Sequence, residues 1–434
     1  MSKAKNNLND DAWEKVFKNL DLKNDLANHG FAYVSAEDLK QYGDREPRLM
    51  AKFDTKESRP ELFKKENLSI LPVSNGYYIV FKDYNLDSYF DFNSILDSLV
   101  IQEHRPGLDL SNFQTLPKDN NYSESQAIDY AYLASVLRTF TNERDLYLTI
   151  RGRLRSGQFQ FNLPNHNHTV NVSGVQIELD AGYESPGDIY LIEAKVGKRD
   201  NFHIRQLYYP YREWLEKTSK NVVPIFFTYT NGLFYLTKFE FGNNFGDLRI
   251  VDKNCYTVND NPYLSVDLDY LLNNTKVECE PSSVPYPQAN DVDKIIDVVK
   301  NIENGYNNKF LIASYFEFRE RQGDYYANAA RYLGFLTKTN NGEFRLTETG
   351  KKLAHSVYRS ERNYIFLQQL LKRPTFHEII ISLKDYDFEL SNLDDNLISS
   401  IISKHTSLTS GTPKRRASTV KSWLKWIVKN VHIK

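Results

Sequence analysis

The chain has 434 residues, 41% hydrophobic and 26% charged, with a net charge of −1, a composition that supports buried cores and excludes a wholly disordered protein. Two cysteines, Cys255 and Cys279, exclude a disulfide scaffold, and no Cys/His group has the spacing of a structural zinc site. The opening residues lack an apolar stretch and no run of about 18 apolar residues occurs. Neither a secretory signal nor a membrane span is therefore expected, and the cytoplasm is the expected compartment.

The near-zero net charge hides a local field. Residues 401–434 carry eight Lys or Arg and no Asp or Glu, directly after an acidic stretch with Asp385, Asp387, Glu389, Asp394 and Asp395.

Residues 1–118 read as an α+β domain, a scaffold or a DNA contact, with a helix over 10–20 and a hairpin over 68–82 around Asn75-Gly76. Residues 119–250 read as an α/β unit. A helix over 123–140 places Ala127, Ala131 and Ala134 on one side, and strands follow over 145–163, 175–183 and 189–196. Next come a helix over 201–217, which Pro210 should kink or interrupt, and strands over 222–228 and 233–239 around Asn231-Gly232. Residues 251–292 are rich in Asn, Pro and Ser and read as a connecting segment ending in a linker. Residues 293–360 have the outline of a winged helix-turn-helix: helices over 310–316 and 321–333, then a hairpin around Asn341-Gly342. Residues 361–434 suggest a second such unit, basic in character. Its last helix, over 418–428 with Ser418 as cap, has Val420, Trp423, Leu424 and Ile427 on its apolar face.

The informative segment is 175–214. Ser185-Pro186-Gly187-Asp188 has turn chemistry, and a hairpin closed there sets Asp180 opposite Glu193 and Glu178 opposite Lys195, all on one face. Carboxylates gathered on a half-buried strand pair need partners or a metal, and an oxygen-only donor set favours Mg²⁺, with Mn²⁺ as a substitute. Lys195 would point at the same site, equipped for metal-assisted phosphodiester hydrolysis. The same residues could instead form a cross-strand ion-pair ladder on an exposed face.

Asp180, followed by Glu193-Ala194-Lys195 at the end of an apolar strand, resembles the PD-(D/E)XK nuclease superfamily. The resemblance implies a mixed sheet flanked by helices, with Asp180 and Glu193 as metal ligands and Lys195 as the catalytic lysine. Glu124 on the first helix matches the family's additional acidic ligand, and Gln206 matches its supporting glutamine. Leu179 stands where the motif has proline, and Glu178, Glu184 and Asp188 are rival acidic residues. The order of units, with the segments at 321–335 and 415–427, resembles type II restriction endonucleases. That resemblance implies sequence-specific cleavage of double-stranded DNA, a homodimer, and a cognate DNA methyltransferase protecting the host. The expected DNA contacts are Arg321, Gln322, Asn328 and Arg331 on the first recognition helix, and Lys414, Arg415, Arg416, Lys421 and Lys425 near the last helix. Two alternatives share these features: a structure-specific repair nuclease with the same core, and a non-enzymatic winged-helix regulator.

The alternating Arg151, Arg153 and Arg155 fit either a phosphate backbone or a solvated edge strand. Tyr208, Tyr209 and Tyr211 read as core aromatics, and His166 and His168 as part of a polar loop.

Overall fold

The computed structural model describes residues 8–117, 121–384, 388–409 and 411–433. Asp385, Asp387, Lys434 and the boundary expected at 118 lie outside the described residues. The protein is a mixed α/β, multidomain chain, and no described helix is long and apolar enough to cross a membrane.

In the N-terminal unit the first helix, Leu8–Asn19, buries Trp13, Val16 and Phe17, and the Trp13 indole donates to the Met50 carbonyl at 2.9 Å. The hairpin forms as expected from Leu68–Ser74 and Tyr77–Lys82, with Gly76 at φ +82° in the turn. Its sheet has five strands, two of them from farther along the chain. The stretch expected as one strand over 145–163 is two. Tyr147–Arg155 joins the central sheet, whereas Gln158–Asn162 pairs with Thr169–Ser173 in the N-terminal sheet. Phe159 and Phe161 alternate inward there and pack with Leu71, Ile79 and Phe81. The polar loop between these strands braces the same unit: His166 bonds the Lys82 carbonyl at 2.7 Å and His168 the Tyr33 hydroxyl at 3.0 Å.

The central unit is built on a seven-stranded mixed sheet, numbered in chain order: β1 (Ile101–His104), β2 (Tyr147–Arg155), β3 (Gln176–Glu184), β4 (Asp188–Val196), β5 (Asn221–Thr230), β6 (Leu233–Phe241) and β7 (Leu248–Val258). The spatial order is β1-β7-β6-β5-β4-β3-β2, with β4/β5 and β1/β7 parallel. Helices α1 (Glu124–Leu133) and α2 (Val136–Thr141) cover one face, burying Ala127, Ile128 and Ala131 on Ala181, Ile192 and Ala194. The single helix expected over 123–140 is broken at Ser135, whose φ of 64° is left-handed. Helix α3 (Arg205–Leu215) covers the opposite face. It starts later than expected because Asn201–His203 is a short strand paired with Tyr89–Asp91. It also runs through Pro210, which lacks the N–H that would otherwise bond the Gln206 carbonyl.

The C-terminal unit contains α4 (Val292–Asn301), α5 (Lys309–Tyr315), α6 (Glu320–Tyr332), a hairpin of Leu336–Lys338 and Phe344–Leu346, then α7 (Glu348–His355). Helices α8 (Arg359–Leu371), α9 (Pro374–Lys384), α10 (Asp395–His405) and α11 (Thr412–Asn430) complete it. The two winged units expected on either side of residue 360 share one core running from Val266 to Val431. Among the described residues of 359–433 no second hairpin follows, and Val431–Ile433 pairs instead with Leu264–Val266. The segment read as a connector is therefore largely structural. β7 extends to Val258, while Leu268, Leu271, Leu272, Tyr286 and Ala289 are buried in the C-terminal core.

The β5–β6 turn locks the central and C-terminal units together. The Asn231 backbone N–H donates to Asp297 at 2.9 Å, its side-chain amide to Asp293 at 2.8 Å, and Arg362 donates to its carbonyl oxygen at 2.8 Å. Every partner is buried. An Asn231→Ala substitution would keep the backbone bond to Asp297 but remove the side-chain bonds to Asp293 and Arg362, at a residue held at φ 44°. It is expected to destabilise the chain by about 2–4 kcal/mol. Thermal unfolding checks this, and an unchanged midpoint would refute the lock.

Candidate active site

The register of the β3–β4 hairpin follows the turn: Ile189 pairs with Glu184, Tyr190 with Tyr183, Leu191 with Gly182 and Ile192 with Ala181. The ladder stops there, one step before Asp180 and Glu193. The Asp180 carboxylate occupies the gap and accepts the Ala194 backbone N–H at 2.7 Å. On its other side β3 carries a bulge. Ile150 pairs with Gly182 and Gly152 with Leu179, so Asp180 and Ala181 together oppose Arg151. The bulge reverses the facing of the strand. Ile177 and Leu179 pack on the α3 side of the sheet, whereas Ala181 and Tyr183 pack on the α1 side. Simple alternation assigns Ile177, Leu179, Ile192, Ala194 and Val196 to one face, and that expectation fails for the first two.

Glu193 and Lys195 are almost fully buried, each 7% exposed. Nζ of Lys195 donates to Oε1 of Glu193 at 2.8 Å, and Nε2 of Gln206, from the first turn of α3, donates to the same oxygen at 2.6 Å. Burial pushes the Glu193 carboxyl up to about 8, against Lys195 and with help from Asp180. Burial raises Asp180 above the usual carboxylate range, opposed by Lys195 and the Ala194 N–H. Glu124, the first residue of α1, is raised by burial and by Asp180, with Lys195 opposing. Burial acts to lower the Lys195 ammonium, but Glu193, Glu317, Glu124 and Asp54 outweigh it and hold it well above its ordinary value. In this state Lys195 is a donor and a positive charge, with no lone pair to accept a proton.

The structure thus brings Asp180, Glu193, Lys195, Glu124 and Gln206 to one end of the sheet. The rival acids are engaged elsewhere. Glu178, expected opposite Lys195, is exposed and pairs with Arg153 and Arg48; the ladder has ended and β3 has turned to β2 before that register is reached. Glu184 pairs with Lys220, and Asp188 accepts from Asn221. Arg151 pairs with Asp129 at 2.5 Å, and Tyr208 and Tyr209 are core residues.

Two carboxylates at the site lie far away in sequence. Asp54, from the N-terminal unit, is buried and lies 3.4 Å from Arg205. Arg205, Lys52, Lys195 and His203 outweigh its burial and hold its carboxyl low. Glu317 follows α5 in the C-terminal unit, has φ 55°, and faces the buried Arg199 at 3.7 Å. Neighbouring Phe316 packs on Gly197, two residues beyond Lys195, where an added Cβ would meet its ring at 2.6 Å. No local motif marks either acid, so sequence reading had no signal for them.

The donor chemistry suits a hard divalent cation: carboxylates raised by burial, and a buried Gln206 Oε1 with no hydrogen-bond partner. Among the described residues no three His, Cys, Asp or Glu side chains converge closely enough to hold an ion alone. Asp180 and Glu193 would share it with water, as Mg²⁺ commonly allows.

The expected DNA-contacting residues separate into two groups. Arg321 is exposed over the Tyr325 ring, and Gln322 caps α6 by accepting the Arg319 N–H. Asn328, expected to point outward, is buried: it donates to Asp324 at 3.0 Å and accepts from Arg331 at 2.7 Å. The cause is that α6 is wrapped on nearly all sides from Tyr326 to Tyr332, leaving only its N-terminal end open. Helix α11 begins at Thr412, six residues before the expected cap, and the Ser418 hydroxyl bonds the Arg415 carbonyl instead. Lys414, Arg415 and Arg416 therefore occupy its first turns, where the helix dipole disfavours cations. Lys421 pairs with Asp395 at 2.7 Å, and Lys425 is exposed. Burial, Arg415 and Arg321 hold the Arg416 guanidinium below its usual range. Among the described residues none of Arg321, Lys414, Arg415, Arg416 or Lys425 forms an ion pair.

Three family models match the chain, each described as a domain of unknown function: DUF6996 over 10–80, DUF6997 over 84–257 and DUF7226 over 294–432. No curated protein and no solved structure matches it. The three matched stretches follow the three structural units, and each supplies a carboxylate facing Lys195: Asp54, then Glu124 and Glu193, then Glu317.

The raised Glu193 carboxyl has a measurable consequence. Its folded value of about 8 exceeds the ~4.3 of an unfolded Glu. The folded state holds the extra proton in that interval, so this group's contribution to stability falls as pH rises from about 4 to 8 and is level above. The stability of the wild type relative to a Glu193→Gln variant should therefore decline across that window, and Mg²⁺ should flatten the decline. A difference that grows with pH would mean that Glu193 is ionised throughout.

Proposed function

We propose that this chain is a divalent-metal-dependent endonuclease acting on double-stranded DNA, of the PD-(D/E)XK type, as a restriction enzyme would be. The observation that carries the reading is the buried Asp180–Glu193–Lys195 group, reached by Glu124 and Gln206, at the end of a mixed sheet covered by helices on both faces. These residues agree with the superfamily's motif in type, in order and in their placement on adjacent strands and flanking helices.

Asp180 and Glu193 would hold Mg²⁺, with Glu124 assisting. The ion supplies Lewis-acid charge and makes water acidic enough to be a nucleophile near neutral pH. Lys195, held as an ammonium, donates to a phosphate oxygen and balances charge that develops in the transition state. Gln206 keeps the Glu193 carboxylate oriented. The helix pair α5–α6 and the hairpin after it support a winged-helix reading, with base and phosphate contacts at the open start of α6 rather than along its length. Cations in the first turns of α11 are disfavoured by its dipole, and a phosphate beside Arg321, Arg415 and Arg416 would relieve that cost. A homodimer and a partner methyltransferase accompany the restriction reading, since cutting two strands calls for two sites and the host DNA needs protection.

Incubation of purified protein with unmethylated phage DNA and Mg²⁺ tests the reading. Discrete fragments are expected, and Lys195→Ala should slow cutting by about 10²–10³-fold while leaving DNA binding intact. Glu193→Ala should abolish cutting at neutral pH. DNA binding without cleavage on methylated and unmethylated DNA alike would favour the regulator. Separately, replacing Arg321, Arg415 and Arg416 with alanine should weaken binding across all sequences and reduce the salt slope by about one for each phosphate no longer neutralised. An unchanged slope would remove this surface from the DNA interface.

A further inference from the structure

A cavity of about 720 Å³ lies away from Glu193, between the central unit and the C-terminal helices. One wall is the loop after β4, beginning at Lys198, three residues beyond Lys195. The opposite wall is formed by the open start of α6 and by α11. Its size falls within the range of small-ligand sites.

The lining combines two kinds of group. Aromatic rings come from Tyr325 and Trp426, and amides from Gln288 and Gln322. Among the described residues the Gln288 amide, the Gln322 amide nitrogen and the Tyr325 hydroxyl make no hydrogen bond. The wall also carries carboxylates, but the protein's own groups engage them. Lys198 pairs with Asp97 at 2.6 Å and Asp291 at 3.1 Å, Lys294 faces Asp200 at 3.7 Å, and Asn231 and Trp426 donate to Asp293. Lys429 is spent on the Asp97 carbonyl at 2.6 Å. Among the described residues, the lining cation left without a partner is Lys425.

Ring faces for stacking, free amides for the edge of a heterocycle and one unpaired cation for an anion make up the chemistry that recognises a base carrying a phosphate. We propose that this cavity is a nucleotide-binding site: Tyr325 and Trp426 stack the base, Gln288 and Gln322 read its edge, and Lys425 meets its phosphate. The nucleotide has two sources, a free nucleotide or one extruded from bound DNA. The second rests on the DNA reading above; the first does not. Gln322 and Tyr325, which line the cavity, lie in the first two turns of α6 beside Arg321, the side from which bound DNA would offer a base.

The test uses the full-length chain in EDTA, so that no cleavage intervenes, and 2-aminopurine deoxyriboside 5′-monophosphate as a fluorescent probe. Saturable quenching is expected, at least tenfold weaker in Tyr325→Ala and Lys425→Ala, with far-UV circular dichroism unchanged in both. Conservative Tyr325→Phe should retain most of the stacking. Unlabelled duplex DNA is then added. Displacement of the probe assigns the cavity to a base of the bound DNA, and its retention assigns the cavity to a free nucleotide. Absence of saturable quenching, or quenching indifferent to both alanine variants, overturns the proposal. Probe binding by a protein that never cuts DNA would leave the site standing and remove the nuclease; cutting without probe binding would do the reverse.

Discussion

Burying the ammonium of Lys195 is the constraint around which this molecule is arranged. A charge out of water needs compensation close by. Here Glu193 accepts its hydrogen bond, and Glu317, Glu124 and Asp54 supply compensation through the field. These acids come from the C-terminal, central and N-terminal units respectively. None of the three can complete the environment of Lys195 alone, so the docking of the units and the electrostatics of the site are one problem. The buried contacts of Asn231 with Asp293, Asp297 and Arg362, and of Phe316 with Gly197, show how firmly the C-terminal unit is seated.

The second local device is the bulge at Asp180. One extra residue on β3 ends pairing with β4, turns the strand from one core to the other and frees a carboxylate to take the Ala194 N–H. An unbroken ladder would have carried Glu178 opposite Lys195. The bulge leaves Glu178 to surface arginines and keeps Asp180 as the acid beside Glu193. Bulges that re-aim a side chain in this way are common beside functional sites. The left-handed backbone at Glu317 belongs to the same pattern, since a non-glycine residue held there is retained only where surrounding contacts determine it.

At the starts of α6 and α11 the electrostatic problem is reversed. Among the described residues Arg321, Arg415 and Arg416, from the first turns of α6 and α11, form no ion pair, although Glu320 and Asp324 stand on α6. The cavity beside it has already neutralised its own acids. The loop after β4 lines the cavity at Lys198 and meets Glu317 at Arg199.

Much of this was legible locally. The hairpins at Asn75-Gly76 and Asn341-Gly342, the turn at Ser185–Asp188 and its register, and the apolar face of the last helix all follow from near-neighbour chemistry. Asp180, Glu193 and Lys195 could be picked out because one turn relates them, and Glu124 and Gln206 only through the resemblance to the nuclease superfamily. What could not be read depends on contacts between distant segments. The division of 145–163 between two sheets was decided by a core that Phe159 and Phe161 join. The burial of Asn328 was decided by the helices wrapped around α6, and the early start of α11 by packing that outweighs its unfavourable first-turn cations. The merging of two C-terminal units into one core arose in the same way. Which residues turn, alternate and carry charge was settled along the chain, because those properties act over a few residues. That Asp54 and Glu317 join the site was settled by the assembled fold, because the need they meet, neutralising one buried ammonium, exists only once the three units have excluded water from it.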